Sequence, residues 1–360
     1  MRWSIHIGSI FGIRLEMHVT FLLLLAYAAA NPSAFGVSGT RNGPLLAVVM
    51  LVLVFACVVL HELGHALTAR RFGIRTRDII LLPIGGVARL ERMPDKPQQE
   101  VLVAIAGPTV NVVLALLFGG WLALAHIPIA TSGLLGLLLE VNVVMLLFNL
   151  VPAFPMDGGR VLRALLAMRL PYAQATRIAS SIGQGVAIVF AAIALYYGNV
   201  ILGLVAVFVF MAAGEERAIV QTRTNLSGLP VRAAMQTDFH ALEAGEPLQR
   251  AVDYLMAGSQ QDFPVMDAGH LMGVLTRTDL LRALQQRGAE TAVREALHPD
   301  PLFAEAHEPL EQAVTRMRAG ARTAVPVMHQ GRLVGLLTLE NVGDLLLVRD
   351  ALNRWGAASG

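Results

Sequence analysis

Long apolar runs broken by short polar patches fill roughly the first 213 positions, whereas the remainder carries shorter amphipathic blocks. Crossing a bilayer takes about 20 mainly apolar residues. Six stretches meet or approach that need: Met17–Ala30, Pro44–Ala69, Val101–Ala125, Leu134–Val151, Ile178–Tyr197 and Val200–Ala213. The first is short, and only "YYGN" separates the last two. The pattern therefore predicts a polytopic helical membrane domain of about six spans. Between the second and third, "RDIILLPIGGVARLE" places β-formers around Gly85 and Gly86, which predicts a short hairpin or membrane-dipping strand. Such backbone survives at membrane depth only where protein or water satisfies it.

The pattern changes at Glu215. Beyond Leu226 it repeats itself: "FPVMDAGHLMGVLTRTDLLRAL" (Phe263–Leu284) aligns with "VPVMHQGRLVGLLTLENVGDLL" (Val325–Leu346), 62 residues later. Pro264 and Pro326, Gly273 and Gly335, and Thr276 and Thr338 fall in register, and an amphipathic helix precedes each copy. The expected organisation is a membrane domain over 1–214, a linker over 215–228, repeats over 229–288 and 289–350, and a tail over 351–360.

Composition sharpens this picture. Charged residues make up 15% of the 360, against about 25% in ordinary soluble domains, and 55% are hydrophobic. The formal net charge of +2, with arginines scattered through loops, argues against nucleic-acid binding. The single cysteine, Cys57, permits no intrachain disulfide and reads as a small buried hydrophobe. No small-residue cleavage site follows Val19–Ala30, so that run is expected to be retained as a span. Basic residues collect before span one, after span two (Arg70 to Lys96) and after span four (Arg160, Arg163, Arg169, Arg177); the other connections hold only Arg41. Basic loops stay cytoplasmic, so six spans put both termini in the cytoplasm of a cell-membrane protein.

Within this apolar frame, "HELGH" at His61–His65 is costly. An ionisable group at membrane depth is a functional candidate by default. On a helix, the i, i+4 spacing brings His61 and His65 to one face, where both imidazoles reach one ion. Zinc suits two neutral imidazoles and a carboxylate, with one position left for water and Glu62 beside it as general base. A third ligand is offered by Asp157 in "NLVPAFPMDGGRVL", where prolines interrupt the helix at the cytoplasmic end of span four. His65 and Asp157 then share one half of the bilayer.

HELGH in one span with N-x-x-P-x-x-P-x-D-G-G in a later one resembles the site-2 protease family of intramembrane zinc metalloproteases. The resemblance covers the membrane half and implies one Zn2+ per chain held by His61, His65 and Asp157, with Glu62 as catalytic base. It implies a transmembrane protein or peptide as substrate, cut by regulated intramembrane proteolysis. "AGPTVN" (Ala106–Asn111) is similar to the family's G-P-x-x-N segment, where Gly107 is expected to serve close helix approach rather than chemistry. Asn149 fits the position of an amide that holds substrate backbone or the oxyanion. His18 is expected to be interfacial. The repeat resembles a tandem pair of cystathionine-β-synthase-type (CBS) domains, a soluble α+β module that commonly binds adenine nucleotides such as ATP or AMP and can form homodimers. Thr276 and Asp279 are candidates for phosphate and ribose there, as is Thr338; Asn341 in place of an acid weakens the second site. Two rivals are a CBS-regulated transporter, disfavoured because Glu140 is the one clear acid in the spans outside the motifs, and a non-catalytic scaffold, disfavoured because Glu62 and all three ligands are present.

Overall fold

The computed structural model describes residues 3–35, 37, 42–83, 85–94, 96–129, 132–258, 260–297 and 302–358; Arg41, used above to weigh the loops, lies outside them. The chain divides into two compact units, Met1–Val220 and Gln221–Gly360.

The first unit opens with two strands, β1 (Ser4–Ile10) and β2 (Ile13–His18), which the sequence reading did not anticipate. Helix α1 (Val19–Ala30) follows directly, so Met17 and His18 belong to a strand and not to the first span. His18 is the helix cap: its Nδ1 accepts the Thr20 N–H at 3.3 Å. After α2 (Gly43–Arg71), β3 (Thr76–Leu82) and β4 (Gly85–Leu90) form the expected hairpin, and β2 pairs with β3 in parallel. The result is a four-stranded sheet in the order β1-β2-β3-β4, larger than the lone hairpin expected. Helices α3 (Pro97–Leu124), α4 (Leu134–Asn149), α5 (Asp157–Ala167), α6 (Tyr172–Tyr197) and α7 (Val200–Leu226) as far as Val220 complete the unit, with α3 packed against α2, α4 and α5.

Among the described residues, α2, α3 and α6 are long and apolar enough to cross a membrane. Helices α1 and α4 are apolar but have 12 and 16 residues. At about 1.5 Å per residue they fall short of a hydrocarbon layer about 30 Å thick. Residues 215–226, expected to be linker, continue α7 without a break. Arg163, counted above with loop cations, is fully buried on α5.

Close approach of α2 and α3 is written in glycines. A Cβ on Gly64 would lie 2.8 Å from the Ala106 carbonyl oxygen and 2.9 Å from the Val110 side chain. Pro108 within α3 has no N–H, so the Ala104 carbonyl loses its usual helical donor. The break between α4 and α5 is packed the same way: a Cβ on Gly159 would lie 2.6 Å from Ala153 backbone, and one on Gly158 would strike the Leu150 and Val151 carbonyls. The Gly-Gly pair lets the first turn of α5 sit on the irregular segment that contains Pro152 and Pro155.

The second unit holds two copies of one motif. Strand β5 (Leu242–Glu243), α8 (Leu248–Met256), β6 (Phe263–Asp267), β7 (His270–Leu275) and α9 (Arg277–Arg287) make the first. Strand β8 (Ala304–Glu305), α10 (Leu310–Ala319), β9 (Ala324–His329), β10 (Arg332–Thr338) and α11 (Leu339–Ala358) make the second. Each copy has a three-stranded sheet with one parallel and one antiparallel pair. The leading segments are exchanged: Val231 and Ala234 enter the second core with Leu310 and Val327, and Val293 enters the first with Leu248 and Phe263. Two sequence repeats thus fold as one module.

Candidate metal centre

His61 and His65 lie one turn apart on α2, both buried, with their Nε2 atoms 3.1 Å from each other. Asp157, the first residue of α5, brings Oδ2 to 3.3 Å from His61 Nε2 and 3.1 Å from His65 Nε2. The three ligand atoms form the metal-competent group found among the described residues.

The outer ring nitrogens show what this convergence needs. His61 Nδ1 is 2.5 Å from Asn111 Oδ1, and His65 Nδ1 is 2.7 Å from the Val103 carbonyl oxygen. Both partners accept, so each neutral imidazole carries its proton on Nδ1 and turns a bare Nε2 lone pair inward. Three acceptors then meet with no hydrogen between them, and Asp157 Oδ2 is buried without a donor. A cation resolves this. Tetrahedral zinc with bonds of about 2.0–2.1 Å separates its ligands by about 3.3 Å, close to the observed 3.1–3.3 Å. The residues fit zinc.

Gly107 faces this space. A Cβ there would lie 2.7 Å from His61 Nε2 and would strike the His65 ring. Its expected role in helix packing is therefore too narrow: its missing side chain keeps the cluster open.

Glu62 sits on the adjacent flank of α2, half-buried. Its Oε2 accepts the Ala88 N–H from β4 at 3.0 Å, and a Cβ on Gly86 would press on its Cγ at 2.8 Å. The sheet thus holds the carboxylate beside the imidazoles. A cavity of about 500 Å3 opens here, lined by His61, Glu62 and His65, Gly85 to Ala88 of β4, Asn149, Asp157 and Arg160. Asn149, at the end of α4, lines this cavity, as does Arg160 one turn beyond Asp157. Sequence reading missed Arg160 as a cavity residue, and Asn111 and Asn142 as supports. Asn111 stood inside "AGPTVN" without a role, and Asn142 was a lone amide in an apolar run.

In the second unit, Thr276 caps α9. Its hydroxyl accepts the Asp279 N–H at 3.2 Å and donates to Asp279 Oδ2 at 2.7 Å. Thr338 accepts the Asn341 N–H at 3.0 Å, and their side chains also bond. Thr276 and Asp279 thus pair with each other at the N-terminus of α9, and Thr338 pairs with Asn341 at that of α11, far along the sequence from the imidazole cluster.

The family model for Peptidase family M50 matches residues 49–127 and 119–193, and that for the CBS domain matches 231–286 and 293–347. "Zinc metalloprotease MJ0392" of Methanocaldococcus jannaschii is 34% identical over 275 residues, 76% of this chain and 78% of its own length. The chain belongs to the M50 peptidases. "Putative zinc metalloprotease Rip3" of Mycobacterium tuberculosis matches this M50 peptidase at 30% over 371 residues, covering 96% of this chain and 93% of its own. The solved "Site-2 Protease from Methanocaldococcus jannaschii" is 37% identical across 60% of this chain and 95% of its own, with a TM-score of 0.45. The protein is a zinc metalloprotease of M50 type with a CBS domain pair.

Proposed function

We propose that this M50 peptidase hydrolyses a peptide bond within or beside a transmembrane segment of another protein, with His61, His65 and Asp157 as zinc ligands and Glu62 as general base. The observation that carries the reading is the convergence of two inward Nε2 atoms and the Asp157 carboxylate, with Glu62 held alongside by β4. Bound zinc supplies a Lewis acid and makes water acidic enough to attack at neutral pH. Glu62 takes the proton of the attacking water and returns it to the leaving amide nitrogen. Asn149, on the same cavity, donates its amide to the substrate backbone or to the oxygen that gains charge. A helix hides its scissile carbonyl, so the substrate unwinds. Strand β4 is the end strand of its sheet, and Gly86, two residues from Ala88, turns its N–H to the same outer side, where an extended segment adds as a further strand.

The setting we assign is the cytoplasmic membrane, with six passes and both termini in the cytoplasm, and the lipid bilayer around 1–214. The CBS pair, at 229–288 and 289–350, binds an adenine nucleotide through Thr276, Asp279 and Thr338 and tunes cleavage; it also offers a surface for a homodimer. The test is cleavage by reconstituted Glu62→Gln. Zinc content is expected to stay at one per chain while the rate falls by about 10^2–10^4-fold. Retained cleavage overturns the base. Running the wild-type arm with and without ATP reads the modulation, and an unchanged rate removes it.

A further inference from the structure

Behind His61 runs a chain of three hydrogen bonds through side chains that see neither solvent nor substrate. Asn142 of α4 donates Nδ2 to the Leu138 carbonyl oxygen at 2.8 Å. Its Oδ1 accepts from Asn111 Nδ2 of α3 at 2.9 Å, and Asn111 Oδ1 meets His61 Nδ1 at 2.5 Å. Both asparagines are fully buried.

The chain has a direction, and its far end sets it. The Leu138 carbonyl can only accept, so Asn142 must turn its NH2 toward it and its oxygen toward Asn111. Asn111 must then present NH2 to Asn142 and oxygen to His61. A reversed Asn111 would set its oxygen against Asn142 Oδ1 and near Met145 Sδ, 4.0 Å from its present Nδ2, and both of those accept. With only an oxygen before it, His61 Nδ1 must carry the proton, leaving Nε2 bare. His65 needs no such device because a backbone carbonyl, which cannot flip, performs the same task. The amide of Asn111 can flip in principle, and Asn142 removes that freedom.

We infer that Asn142 is a positioning residue that fixes the metal-competent tautomer of His61 through Asn111. This rests on the reading of His61 as a zinc ligand. Outer partners of metal-bound histidines commonly contribute 10–100-fold in affinity, and here the contribution originates two side chains away from the ion.

The test uses the full chain in detergent, with Zn2+ affinity from chelator competition and the visible spectrum of the Co2+-loaded protein as readouts. Asn142→Leu matches the side chain in size but cannot hold Asn111, and is expected to weaken Zn2+ by about 10–100-fold. Adding Asn111→Asp to that variant gives His61 an acceptor that cannot flip, and is expected to bring affinity and the four-coordinate Co2+ spectrum back to wild type. Asn111→Leu, which leaves no acceptor, is the second variant and is expected to lose at least as much as Asn142→Leu. Wild-type affinity in Asn142→Leu overturns the inference. Weakened affinity that Asn111→Asp does not restore also overturns it, because lost packing alone would then explain the effect. His61→Ala separates the underlying reading: unchanged Zn2+ affinity there shows that His61 is no ligand, and both claims fall together.

Discussion

Helix α5 carries two buried ionic clusters six residues apart, and they are completed in opposite ways. At its start, Asp157 meets two bare imidazole nitrogens, and no donor lies among them. Farther on, the fully buried Arg163 donates Nε and Nη2 to Glu100 Oε1 of α3 at 2.8 and 2.6 Å, and Nη1 to Glu216 of α7. The faces of Phe154 and Tyr172 cover the guanidinium, with ring centres 5.0 and 5.1 Å from its central carbon. Buried away from water, both sets of acceptors need a cation. One set receives it from the chain, and that cluster is structural. The other leaves the position open, and there the chemistry resides. What separates a site from a brace is whether the chain itself supplies the cation.

The strongest break of this comparison is at Asp157. Asp157→Ala removes one of three ligands, and a third of a typical zinc binding energy of about 12 kcal/mol is about 4 kcal/mol. Affinity is expected to fall by about 10^3-fold, with cleavage at background and the metal-free melting temperature nearly unchanged. Chelator competition, a cleavage assay and a melt with EDTA read the three. A large loss of metal-free stability would mean that the cluster braces the fold as Arg163 does.

Next is Arg163→Met, which keeps the apolar stem but strands Glu100 in the interior. Breaking a buried ion pair from one side costs about 3–5 kcal/mol. The expected result is a lower melting temperature with or without zinc, and partial recovery when Glu100→Gln is added. If Arg163→Met melts like wild type while losing zinc, the two clusters have been assigned the wrong way round.

The membrane motif was legible because its parts are local: His61 and His65 are one turn apart, and Pro152, Pro155 and the Gly-Gly pair mark a broken helix wherever they occur. The CBS pair was legible as a repeat. Partners that only packing brings together were not. Arg163 reads as a loop cation until α5 turns it toward Glu100, 63 residues away. Asn111 and Asn142 lie on different helices with nothing local to join them. Strands β1 and β2 left a weaker trace, since Ile13, Leu15 and Met17 alternate with Arg14 and Glu16; the apolar run that follows masked it. The exchange of Val231 and Val293 between cores is likewise invisible in an alignment of repeats. The spans were less legible than the motif, because α1 and α4 have 12 and 16 residues and do not declare themselves by length.

The smallest effect sharpens the comparison with a third kind of carboxylate, one given donors but no cation. Asp262 in the soluble unit accepts the Arg277 N–H at 3.1 Å and has the Thr323 hydroxyl at 3.5 Å, with no ion pair among the described residues. Burial pushes its carboxyl above the ordinary value near 3.8, despite the opposing pull of those two donors. The folded chain therefore holds this proton at pH values where the unfolded chain has released it. Stability changes with pH as the unfolded minus the folded proton count, so this group's contribution falls as pH climbs from the ordinary carboxylate value through the raised one. Below both values Asp262 costs nothing. Asp262→Asn keeps an oxygen for the Arg277 N–H and cannot ionise, so its advantage over wild type should be absent at about pH 3.5 and present at about pH 7. Paired melts of the full chain across that range read the difference. A variant that is instead less stable at neutral pH would show that the Asp262 charge is favourable where it sits, and that donors alone can satisfy a buried carboxylate, which would weaken the case that the open cluster at Asp157 requires an ion.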